Sequence, residues 1–156
     1  MRHVEIHSFI SNIKAEEVYE TLLDFQNYVK LVDTVLSVDI VHKNYDSIKS
    51  SWVVKFRNGL LRWTEEDWFN RKNLRIDFKQ IDGDFEEFFG FWQLKPEKNG
   101  VKADLIVDFD FGIESLASII NPVAERVLTE VTQQTLLGLF DDKVKFSFGE
   151  RLKDAV

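Results

Sequence analysis

The sequence predicts an α+β fold: a curved antiparallel β-sheet of about seven strands wrapped around one long C-terminal α-helix, with two short helices after the first strand. Three observations predict it. Residues 47–94 alternate apolar and polar side chains, with turn signals between the runs, which is the pattern of a β-meander. Beyond Pro122, Val123, Val127, Leu128, Val131, Thr135 and Leu139 recur at helical spacing, with Glu125, Arg126, Gln133 and Lys143 opposite. That stripe must be buried, and the only apolar surface large enough to cover it is one face of the sheet.

Residues 2–11 alternate weakly and open the chain as a strand, with Val4, Ile6 and Ser8 on one side. From Asn12 the period becomes helical through Ala15, Val18, Tyr19 and Leu22. Asn12 is a candidate cap, and Glu16 and Glu17 suit the positive end of the helix dipole. Phe25 to Val32 reads as a second short helix or a turn, and Leu36 to His42 as a second strand. Asn58-Gly59 is a strong hairpin signal, because a type I′ turn needs φ > 0 at both central residues. It pairs Val54 with Trp63, Trp52 with Glu65, and Lys55 against Arg62 as like charges. A turn at 70–73 then pairs Asp67 with Ile76 and Trp63 with Gln80, and a loop at Asp82-Gly83-Asp84 pairs Phe78 with Phe88. A reverse turn over 96–100 pairs Leu94 with Val101, and Val101 to Phe111 alternates as the last strand. After Gly112 the chain is helical to near its end, first over Glu114 to Ile120. The long helix then starts at Asn121-Pro122, where Asn caps well and Pro is favoured in first position. Gly138 lies inside it, and such a glycine points either to a close approach or to a harmless weak spot.

This register gathers Trp52, Val54, Phe56, Leu61, Trp63, Leu74, Ile76, Phe78, Phe88, Trp92 and Leu94 on one face, while Lys55, Arg62, Arg75, Asp77 and Lys79 alternate onto the other. Two carboxylates, Glu65 and Asp67, share the aromatic face. Carboxylates in an apolar setting have raised pKa values and suit proton transfer, whereas at a solvated rim or beside Lys or Arg they are structural. Trp52, Trp63 and Trp92 either clamp a planar ligand by stacking or fill a core. Trp52, Val54, Trp63, Phe78, Gln80, Phe88 and Trp92 on the sheet, with Val131 and Thr135 on the helix, are the candidate ligand contacts.

At 156 residues the chain is expected to form a single domain, 1–156, burying roughly 70% of its unfolded surface. Aromatic residues are abundant, with 14 Phe and 4 Trp. No cysteine is present, which excludes disulfides, thiolate metal sites and cysteine nucleophiles. His3, His7 and His42 lack metal-ligand spacing, and no phosphate loop, nucleophile elbow or dinucleotide fingerprint occurs, so neither metal nor cofactor is expected. The formal charge of -7 argues against nucleic acid as a partner. No apolar run reaches the ~18 residues of a membrane span, and none follows a basic start, so a cytoplasmic location is expected.

Ile13 to Asp24, Ser51-Trp52-Val53-Val54 with Asn58-Gly59, Leu61 to Glu65, and Gly83-Asp84-Phe85 leading to Phe89-Gly90-Phe91-Trp92 together resemble the START-related helix-grip superfamily, and within it the polyketide cyclase/dehydrase branch. The resemblance spans nearly the whole chain. It implies an apolar cavity between sheet and C-terminal helix for a lipid, quinone, polyketide or similar molecule. Members similar to this chain include cyclases acting on poly-β-ketones held by an acyl carrier protein, non-catalytic lipid or quinone carriers, and a ribosome-associated toxin group. In a cyclase, Glu65 and Asp67 would handle protons during aldol closure and dehydration. Cyclases of this branch use a pocket Arg with Ser, Tyr or Trp neighbours; Ser51-Trp52 stand here, and Arg57 and Arg62 fall on the outer face.

Overall fold

The computed structural model describes residues 1–56, 59–110 and 114–147, with backbone alone at 56 and over 114–124. Strand β1 (Arg2–Ser11) leads to helix α1 (Ala15–Leu23), a 3₁₀ turn (Phe25–Asn27) and the short helix α2 (Tyr28–Leu31). Six strands follow: β2 (Val35–Lys43), β3 (Ser47–Phe56), β4 (Gly59–Asn70), β5 (Arg75–Gly83), β6 (Glu87–Glu97) and β7 (Gly100–Asp110). Helix α3 (Glu114–Phe140), a second 3₁₀ turn (Asp141–Lys143) and strand β8 (Val144–Phe146) are the last elements among the described residues. The strands form one eight-stranded sheet in the order β2-β3-β4-β5-β6-β7-β1-β8. The unforeseen β8 is short and pairs only with Ser8–Ile10 of β1, in a segment expected to be helical.

Alternation places the predicted apolar side chains on the inner face, Phe56 aside, whose side chain lies outside the described residues, yet every hairpin of the meander is slipped by two residues from the predicted pairing. Trp52 faces Trp63 and Val54 faces Leu61, with Phe56 opposite Gly59, so Gly59 opens a strand instead of completing a turn. Arg57 and Asn58 lie outside the described residues. The two indoles stack with centroids 6.1 Å apart and planes 4° from parallel, a cross-strand contact that the Asn-Gly register would have lost. Lys55 accordingly faces Leu60, and Arg62 faces Val53, which removes the expected like-charge pair. The next turn is residues 71–74, secured by the Asn73 N–H donating to Asn70 Oδ1 at 3.1 Å, so Asp67 faces Phe78. Ile76 faces Trp92, and Leu94 faces Ala103 across a two-residue turn at Lys98-Asn99, where Asn99 takes φ 66°. A slip of two leaves each side chain on its own face, and for that reason the face assignment holds.

Two helix starts also differ from expectation. Asn12 is not a cap: it takes φ 57° and its N–H donates to the Asn99 carbonyl at 2.9 Å, so α1 begins at Ala15. Helix α3 runs unbroken through Asn121-Pro122. A proline there removes one backbone bond of a 27-residue helix, and the remaining turns carry it. The helix ends at Phe140, so Lys143 belongs to the following 3₁₀ turn. Val127 and Thr135 of the predicted stripe are buried, Leu128, Val131 and Leu139 are half-buried, and Leu136 and Phe140 join them. The side chain of Val123 lies outside the described residues.

On the outer face, His3 and His7 knit β1 to β7 through Asp108 at 2.8 Å and Asp104 at 2.7 Å, and Glu5 bridges the two imidazoles. Arg75 pairs with Asp77 and lies 3.7 Å over the Phe91 ring. Trp68 stands half-exposed there, as its position in the alternation requires.

Gly138 marks a close approach. A Cβ at this position would lie 2.3 Å from the Leu31 carbonyl oxygen, so α2 rests directly on α3 backbone. Gly138→Ala should force the two helices apart at an overpacking cost of about 1–3 kcal/mol. The expected fall in the calorimetric midpoint is roughly 2–10 °C. An unchanged midpoint would show that α2 yields freely.

Candidate ligand-binding site

A cavity of about 140 Å³ lies between the inner face of the sheet and α3. The strands supply Trp52 and Val54 from β3, Trp63, Glu65 and Asp67 from β4, and Phe78, Phe88 and Trp92 from β5 and β6. Helix α3 supplies Val131 and Thr135. These are the predicted contacts with one exception. Gln80 shares their face but turns away from the cavity: its Nε2 donates to the Phe85 carbonyl at 2.7 Å and its Oε1 accepts the Phe85 N–H at 3.2 Å. It pins the loop that buries Phe85 against Phe88, whose rings stack 4.5 Å apart.

Seven lining residues were not among the predicted contacts. Leu105 and Val107 belong to the inward set of β7, and Leu128 and Thr132 to the face of α3 around Val131. Alternation and helical spacing carried signals for these four. Phe25 and Tyr28 instead come from the connection after α1, which folds back across the end of the sheet, and Val35 opens β2 where that connection ends. Phe25 and Tyr28 meet Trp52 edge-on at 5.3 and 5.5 Å, and the Tyr28 hydroxyl donates to the Leu22 carbonyl at 2.6 Å. Burial pushes the Tyr28 phenol well above its ordinary pKa.

The aromatic wall has one polar region. Glu65 is 6% exposed and Asp67 is 2% exposed, so neither sits at a solvated rim. Trp63 Nε1 donates to Glu65 Oε1 at 2.7 Å. Asp67 Oδ1 is buried without a hydrogen-bond partner. Burial, then repulsion from Glu65 and a hydrogen bond shared with it, hold the Asp67 carboxyl well above the usual carboxylate range. Asp67 therefore keeps its proton to a higher pH than an ordinary carboxyl, and the proton is shared toward Glu65. Ser51, on the outer face, shares a 2.7 Å hydrogen bond with Thr64, and Arg62 is exposed, so neither joins the cavity.

Such a constellation can hold a flat apolar group among indole and phenyl faces and present it with a proton donor and an acceptor. The sequence profile of the family described as polyketide cyclase / dehydrase and lipid transport matches residues 11–135. The chain belongs to this family. No curated protein sequence matches it. Among solved structures, a protein of Thermus thermophilus superposes with a TM-score of 0.82 at 24% identity, covering 99% of both chains. The Zhui aromatase/cyclase of Streptomyces sp. R1128 superposes at 0.79 with 18% identity, over 99% of this chain and 96% of that one. A START superfamily protein of Mycobacterium smegmatis follows at 0.74 with 13% identity, over 89% and 97%. This polyketide cyclase/dehydrase family member thus has the helix-grip architecture of a hydrophobic ligand-binding fold. Among the described residues, no helix is long and apolar enough to cross a membrane.

Proposed function

We propose that this chain binds a small ring-bearing hydrophobic molecule between sheet and C-terminal helix and sets its polar group against the Glu65/Asp67 pair. Asp67 carries the reading. A buried carboxyl with an unpartnered oxygen costs stability, and a perturbed acid in an apolar cavity marks a functional site. Volume sets the ligand's size. A dry cavity of about 150 Å³ takes a benzene-sized guest, whereas pockets for drug-sized ligands run to about 300–1,000 Å³. The cavity therefore suits one ring, or the segment of a longer chain that closes into one.

The carboxyl pair favours protic chemistry over passive carriage. In that chemistry Glu65 would take a proton from the carbon beside a ligand carbonyl, and Asp67 would give one to a departing hydroxyl, which are the transfers of aldol closure and dehydration. A polyketide cyclase working this way would receive its chain from an acyl carrier protein. A lipid or quinone carrier would use the same cavity without needing either carboxyl. The charge of -7 speaks against a ribosomal partner, and the protein should not co-sediment with ribosomes at moderate salt.

Three of the four tryptophans line the cavity, so ring binding should change the intrinsic emission. Titration with toluene is expected to quench it, and Trp92→Ala to weaken the affinity roughly tenfold. Unresponsive emission, with nothing extracted from the purified protein by solvent, would make the aromatic face core alone. With an assayed cyclisation substrate, Glu65→Gln and Asp67→Asn should abolish turnover while sparing toluene binding; intact turnover would leave the carrier.

A further inference from the structure

We propose that the ligand also carries a neutral, amide-type tail, held in a second compartment beside the ring cavity. The proposal rests on the ring-site reading above. A cavity of about 370 Å³ lies between the ends of β2 and β3 and the middle of α3, lined by Thr34, Lys55, Val127, Glu130, Val131 and Gln134. Val131 is a wall of both cavities. Thr34 precedes Val35, and Lys55 follows Val54, and in each pair the valine lines the ring cavity and its neighbour the outer one. The strand ends and α3 thus each give residues to both compartments, and a ligand lying past Val131 would span them.

The outer lining differs in chemistry. Thr34 Oγ1 is buried with no partner, and the backbone around it is fixed, its carbonyl accepting the Lys55 N–H at 2.7 Å. Lys55, Glu130 and Gln134 stand exposed around it. One cation and one anion in the lining give no net preference for a charged tail. Donors and acceptors are both present, and an amide supplies the complement of both in one planar group. Thr34 is the contact that a tail would complete, since its hydroxyl has no hydrogen-bond partner within the fold.

The test compares toluene, phenylbutyramide, phenylbutyrate and phenylbutylamine by tryptophan emission and calorimetry. Phenylbutyramide is expected to bind more tightly than either ion. Thr34→Val should weaken phenylbutyramide roughly three- to tenfold and leave toluene unchanged, and Thr34→Ser should restore the amide. Equal amide affinity in wild type and Thr34→Val, or tighter binding of either ion, would overturn the tail compartment while leaving the ring site standing. Failure of toluene itself to bind would remove the ring site and this proposal with it.

Discussion

Asp67→Asn is expected to raise the thermal midpoint at pH 8 and to change it little at pH 4. In the unfolded chain this aspartate ionises near its ordinary value of about 3.9. In the fold, burial first, then Glu65, keeps the proton on to a much higher pH. Between the two values the folded state holds the extra proton, so stability falls as pH rises from about 4 and levels off only above the folded pKa. Asparagine has no proton to lose, and its amide can still donate to Glu65. The variant should therefore gain on the parent across that window. Relief of a buried, incompletely bonded carboxyl is worth about 1–3 kcal/mol, or roughly 2–10 °C for a chain of this size. Calorimetry from pH 4 to pH 8 decides it: parallel midpoint curves would show that Asp67 ionises normally, and the site would lose its proton donor. A stabilising loss of a cavity acid is also what a function bought with stability looks like.

The inner face was legible in the chain because a period of two survives errors of register. Trp52, Trp63, Phe78, Phe88 and Trp92 were assigned to one surface from pairings that were each two residues off, and a slip of two moves no side chain across the sheet. Glu65 and Asp67 came with them, and their depth of burial did not, since depth depends on what α3 and the α1–β2 connection cover. Gln80 shows the limit of the same logic. It occupies an inward position, but its amide is held by the carbonyl and N–H of Phe85 in the following loop. Phe25 and Tyr28 carried no alternation signal because they lie in the connection after α1, and only the fold shows it closing over Trp52; Val35 opens β2, one residue ahead of the strand expected from Leu36. Strand β8 is three residues long and paired to one neighbour, too short for periodicity to register. Pro122 misled in the opposite direction, since a long helix tolerates what would end a short one.

Trp63→Ala should be the most damaging single change at the site, because this residue joins every part of it. Its ring stacks on Trp52, meets Phe88 at 5.6 Å and Phe85 at 6.2 Å, and its Nε1–H is the donor to Glu65. Truncating a tryptophan in such packing costs about 3–5 kcal/mol, a fall in midpoint of roughly 6–20 °C. The chemistry fails with the packing: Glu65 Oε1 loses the N–H that orients it toward Asp67. Trp63→Phe separates the two effects, since a phenyl ring keeps part of the contact area and none of the donor. Its midpoint should lie between those of the parent and the alanine variant. Its toluene affinity should stay within about threefold of the parent, while the pH dependence assigned to Asp67 shifts with the disturbed Glu65. If Trp63→Ala melted within about 2 °C of the parent, the stacked pair would be ornamental and the sheet's aromatic face would not be the structural floor of the cavity.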